Sequence, residues 1–203
     1  MDAQETTTTA PRTGVDWGRA EFLLVLLGFL GFVTLPIEIS TLYSGLPAHP
    51  LLLHVPVMLV PLTAVAAIVF VARPAWLERY GIALAIVSVV TMSSIFLTMH
   101  AGSALQDSLA LNGEAAELVD EHSEAADTLA IVYVAFTAIV ILAFAARRIS
   151  AGRPTGLAIV DRLLSPPAIF TTLRIALVLL AIGAAVMVFR TGDLGAKAVW
   201  QGK

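Results

Sequence analysis

Five apolar segments, at about 22–40, 49–72, 80–100, 126–146 and 168–190, occupy most of the chain, and each runs about 19 to 24 residues. At about 1.5 Å per residue, each is long enough to cross a hydrocarbon layer about 30 Å thick. Lipid offers the backbone no hydrogen-bonding partner, so a crossing segment must satisfy its own amides as a helix. The expected fold is therefore an all-α integral membrane bundle of five transmembrane helices. A composition of 58% hydrophobic and 13% charged residues, with mean hydropathy +0.89, agrees with a membrane setting. With 203 residues there is room for one bundle, residues 21–203, and for no separate soluble domain. Residues 1–20 are Thr-rich and polar and read as a disordered tail. Acids precede a full-length apolar segment there, which is not the pattern of a cleavable signal. No internal repeat is evident.

The basic residues set the orientation. Arg12, Arg19, Arg73, Arg79, Arg147, Arg148, Arg153, Arg162 and Arg174 fall on the side of the N-terminus; Arg190, Lys197 and Lys203 fall on the other. The positive-inside rule then puts the N-terminus in the cytoplasm and the C-terminus outside, in a bacterial plasma membrane. Outer charge is mostly acidic, with Asp107, Glu114, Glu117, Asp120, Glu121, Glu124 and Asp127 around the connection between spans three and four. These acids read as a solvated helix face, with Asn112 as a candidate cap, and they disfavour nucleic acid as a partner. Glu38 is an acid near the outer end of the first span.

All four histidines fall at the outer surface. His49 and His54 open span two, His100 closes span three, and His122 precedes span four. Imidazole is a frequent metal ligand and the usual axial ligand of b-type haem, and polar groups in apolar spans are costly enough to count as functional candidates. Zero cysteines exclude disulfides, thiolate metal sites, iron–sulfur ligation by this chain and c-type haem attachment.

Each histidine also has a structural reading. His49 precedes Pro50 and fits a helix start. His54, between Leu53 and Val55, is expected to be buried, where an unpaired imidazole is expensive. His100 stands where span three ends and fits an interfacial residue as well as a ligand. His122 shares an apolar stripe with Ala115, Leu118, Val119, Ala126 and Leu129, while Glu117, Asp120, Glu121 and Glu124 face elsewhere. His49 and His54 are five residues apart, about 140° around an ideal helix, so they serve different partners or roles. His54 and Met58 share a face, a pairing that suits copper. No dinucleotide, phosphate-loop, zinc-protease or hydrolase signature is present.

These residues also carry a resemblance. The run LPAHPLLLHVPVML resembles the HP-x-x-x-H opening of an uncharacterised family of bacterial predicted membrane proteins built on a four-helix core. In that family a later helix starts with a histidine preceded by acids, as His122 does in VDEHSEAAD. The tail TGDLGAKAVW, Thr191 to Trp200, is similar to the family's T-G-x-L-G-x-x-x-V followed by an aromatic residue. Members often close that tail with His-Gly, where this chain has Gln201 and Gly202. The resemblance covers about residues 47–201 and leaves the first span as an addition to the core. Relatives fused to Rieske or cytochrome c domains imply, by association, work beside electron-transfer modules.

The leading expectation is a membrane redox protein that holds b-type haem near the outer surface. His54 and His122 form the first-choice axial pair, and His49 and His100 the second. Ala64, Ala66, Ala67, Ala125, Ala126 and Ala130 are the small residues against which a flat macrocycle could lie. The expected partners are the lipid bilayer and an outer redox protein. The alternatives are a cofactor-free accessory subunit, or a protein that binds copper or zinc through the same histidines. A reporter enzyme active only outside the cytoplasm is expected to work when fused after Lys203 and to fail when fused at Arg153; the opposite pattern reverses the orientation.

Overall fold

The computed structural model describes residues 17–34 and 45–201. Among these the chain forms α1 (Trp17–Thr34), α2 (His49–Leu52), α3 (His54–Ala72), α4 (Pro74–Ser108), α5 (Glu114–Ser150), α6 (Ala158–Leu164) and α7 (Pro167–Trp200). Four segments, His49–Ala72, Pro74–Ser108, Glu114–Ser150 and Pro167–Trp200, are long and apolar enough to cross a membrane. They correspond to expected spans two to five. Of the first expected span, α1 is a helix packed on α4; residues 35–44, which include Glu38, lie outside the described residues.

Proline punctuates the bundle. Pro56 has no N–H for the Leu52 carbonyl, which helps explain why α2 and α3 meet at a break even though Leu53 itself stays helical, at φ −58° and ψ −24°. Pro74 and Pro167 stand in the first turns of α4 and α7, where a missing N–H costs nothing. Between α3 and α4 the chain turns through Arg73 alone. From α5 to α7 it instead runs through Gly152 and Gly156, at φ 76° and 79°, and through α6. At α5 the expected cap is corrected: Gly113, at φ 62°, holds the N-cap position, and Asn112 hydrogen-bonds the Ala110 carbonyl instead.

α3 packs on α4 and α7, and α5 packs on the same two, so α3 and α5 occupy one diagonal of a four-helix bundle. The core is lined with small residues, including Ala64, Ala67, Ala85, Ala130, Ala143, Ala181 and Ala184, which let the helices approach closely. Buried hydroxyls return their protons to the preceding turn: Thr63 to Leu59, Thr91 to Val87, Ser93 to Val89 and Thr137 to Tyr133. One bond also crosses the core, with Thr63 Oγ1 and Tyr133 Oη 2.7 Å apart. Ser88 is buried in the same cluster, beside Tyr133.

At Gly81 of α4 there is no room for a side chain: an added Cβ would lie 2.4 Å from Cδ2 of Phe144 in α5. Phe144 is buried beneath the Arg148 guanidinium and has little freedom to swing away. Gly81→Ala is therefore expected to destabilise the bundle by about 1–3 kcal/mol in detergent unfolding, and trimming Phe144 to Leu in the same chain should recover part of the loss.

Candidate functional site

All four histidines stand at one end of the bundle, as the sequence indicates: at the starts of α2, α3 and α5 and toward the end of α4. Their environments differ. His49 and His122 are half-buried, whereas His54 and His100 are exposed. His49 of α2 and His122 of α5 face one another, with ring centroids 6.1 Å apart and ring planes at 88°.

The structure thus sets His49, not His54, opposite His122, and it corrects the expected burial of His54. The cause is helical phase. Once His49 points toward the bundle, a residue five positions on projects about 140° away from it, outward. Met58, four residues beyond His54, is likewise exposed, so that imidazole and thioether share an outer face. His100 follows Thr98 by two residues on α4 and faces away from the bundle for the same reason.

The two facing rings are held alike. Nδ1 of His49 is 2.9 Å from the Thr98 carbonyl of α4, and Nδ1 of His122 is 2.9 Å from the Thr191 carbonyl of α7. A carbonyl only accepts, so Nδ1 carries the proton in both rings, and in the neutral form each Nε2 keeps a free lone pair. A hydrogen bond of this kind fixes ring orientation and raises the basicity of the other nitrogen. His54 makes a similar bond to the Leu51 carbonyl of α2 and His100 one to the Phe96 carbonyl of its own helix, but each stands on an outer face.

Glycine makes room for both rings. A Cβ on Gly102 would lie 2.9 Å from Nδ1 of His49, and one on Gly195 would lie 3.0 Å from Cε1 of His122. The arrangement exposes a repeat that the sequence reading missed. Pro74, Thr98 and Gly102 in α4 have the same spacing as Pro167, Thr191 and Gly195 in α7. Leu84 and Leu177 are buried at matching places, as are Ser88 and Ala181, and Thr91 and Ala184. Thr98 and Thr191 each also bond the carbonyl four residues earlier, Ser94 and Met187. Each helical hairpin thus supplies one imidazole, one helix carbonyl to hold it and one glycine to admit it. Unlike lengths between α3–α4 and α5–α7, with α6 inserted in the second, hide the repeat from a fixed-period scan. The shared Pro…Thr-x-x-x-Gly spacing was the available signal.

Acidic groups rim the pair without entering it. Glu114 and Glu117 occupy the first turn of α5, and Gln106 donates to Asp120, tying the end of α4 to α5. Among the described residues, no group of three or more histidine, cysteine or carboxylate side chains is gathered to hold an ion.

Residues 45–203 match a family described as predicted membrane protein, DUF2231. The chain belongs to that family. No curated protein and no solved structure matches it. The match begins just before α2 and takes in both hairpins, so the facing histidines lie within the family region and α1 lies outside it.

The hold on His122 is testable without any ligand. Gly195→Ala is expected to destabilise the protein, and His122→Ala is expected to relieve that clash. A double-mutant cycle on unfolding in detergent should then show a coupling of about 0.5–3 kcal/mol. Additive effects would mean that the ring does not lie against Gly195.

Proposed function

We propose that this chain is a membrane redox protein that holds b-type haem between His49 and His122, on the outer side of a bacterial plasma membrane. The same proposal counts α1 as part of a fifth span and places the N-terminus in the cytoplasm, in keeping with the arginine distribution. One observation carries the haem reading. Two facing imidazoles, on α2 and α5, have their Nδ1 protons committed to helix carbonyls, so both Nε2 lone pairs remain for ligation. Imidazole–metal bonds are about 2 Å long, and two rings sharing one metal have centres about 6 Å apart. The observed 6.1 Å fits that separation.

Bound there, haem would supply one-electron Fe(III)/Fe(II) chemistry. The chain's own part is positioning and electrostatics. The carbonyls of Thr98 and Thr191 hold the two rings and make them stronger donors. Gly102 and Gly195 let α4 and α7 approach those rings. Buried Ala125 and half-buried Ala126, next to His122 on α5, are small apolar surface near the pair. The acidic rim gives an outer redox partner a charged surface to meet.

The second reading is a cofactor-free accessory subunit, favoured by the 88° edge-to-face contact, which two aromatic rings adopt without any ligand. Copper is a third, since a single Cu(I) could use the same two imidazoles; zinc favours four donors. Titrating the purified full chain with haemin in detergent separates these readings. Low-spin spectra are expected in the wild type, His54→Ala and His100→Ala, with loss or high-spin conversion in both His49→Ala and His122→Ala. Unaltered low-spin binding in the last two would overturn the assignment. Protein that takes up no haem but one copper ion favours the copper reading, and protein that takes up neither favours the accessory subunit.

A further inference from the structure

The opposite end of the bundle carries an unsatisfied cation. Glu78 of α4 accepts from Arg147 at 2.8 Å, with Arg153 at 4.0 Å, and Asp161 of α6 accepts from the Thr155 backbone and hydroxyl. The two carboxylates described at this end are therefore already engaged. Arg174 of α7 lies with its guanidinium 5.7 Å from the Phe170 ring centre, and its Nε is buried without a hydrogen-bond partner. Leaving such an N–H buried and unpaired is costly, and more so on a charged group.

Beside Arg174 a groove of about 440 Å³ opens along the α3/α7 seam, lined by Val71, Thr171, Ile175, Val178 and Leu179. Its apolar residues lie toward the middle of α7, and Ile175 and Leu179 are 59% and 64% exposed, so the groove opens on the side that faces lipid. A second apolar groove, of about 470 Å³, lies farther along the same seam, between Pro61 and Phe189. A guanidinium with an unbonded buried Nε at the head of an apolar furrow is complementary to one class of molecule, an anionic headgroup joined to a hydrocarbon chain. The planar fork matches phosphate oxygens, and the carboxylates of Glu78 and Asp161 are engaged elsewhere.

We infer that Arg174 and the α3/α7 groove form a site for an anionic phospholipid, its phosphate on the guanidinium and an acyl chain against Ile175, Val178 and Leu179. The inference is independent of the haem proposal, since the site lies at the other end of the bundle.

The test uses the full chain, delipidated in mild detergent and mixed with phosphatidylglycerol or phosphatidylcholine, with bound lipid counted by native mass spectrometry. The wild type is expected to retain phosphatidylglycerol in preference to phosphatidylcholine, and excess inorganic phosphate should not displace it. Arg174→Gln should reduce the preference about tenfold, the scale of a lost charge-assisted hydrogen bond. Arg174→Lys should restore part of it. Leu179→Trp, at an exposed position that the fold does not need, should weaken retention by filling the groove. Arg79→Gln, whose arginine lies over Tyr80 instead, should have no effect. Full preference in Arg174→Gln, displacement by free phosphate, or a Leu179→Trp variant that alters self-association while lipid retention stays intact would each overturn the site.

Discussion

Everything in this protein depends on the fact that a hydrocarbon interior returns no hydrogen bonds. The backbone answers by becoming helical almost throughout, and the buried hydroxyls of Thr63, Thr91, Ser93 and Thr137 answer by donating to the turn before them. The same constraint shapes the histidine end. A half-buried imidazole there needs a place for its N–H, and main-chain carbonyls of the neighbouring helix supply it. With one nitrogen fixed in this way, the other is defined as an acceptor, so a requirement of solvation becomes a chemical assignment.

The sequence reading placed spans two to five because hydropathy over about 20 residues is a strong signal. It also placed the histidines at one end, since that follows from the alternation of crossings. The stripe through Leu118, His122 and Leu129 was legible for the same reason, with Glu117, Asp120, Glu121 and Glu124 left exposed. It expected His54 to be buried because depth along a helix was used where phase around it decides. His54 lies farther into the span than His49, yet it points away from the neighbouring helices.

Other parts of the site had no side-chain signature to find. The groups that hold the two rings are the main-chain carbonyls of Thr98 and Thr191, and a carbonyl exists at every position. Gly102 and Gly195 read as ordinary small residues until the distance from each to the opposing imidazole is known. At the other end Arg174 was counted with the cations that set orientation. That its Nε is buried without a hydrogen bond, with Glu78 occupied by Arg147 and Asp161 by Thr155, became visible only in the structure.

The division of the bundle into two hairpins has a mechanical consequence. Each hairpin completes its own half of the histidine site: His49 and Thr98 in one, His122 and Thr191 in the other. The halves meet only where the hairpins dock, so a molecule bridging both rings would act as a clasp between them. By mass action its binding would be added to the stability of the docked form, by RT ln(1 + [L]/Kd). Emptying the clasp would loosen the docking while leaving each hairpin internally intact. Occupancy and assembly would then report on one another.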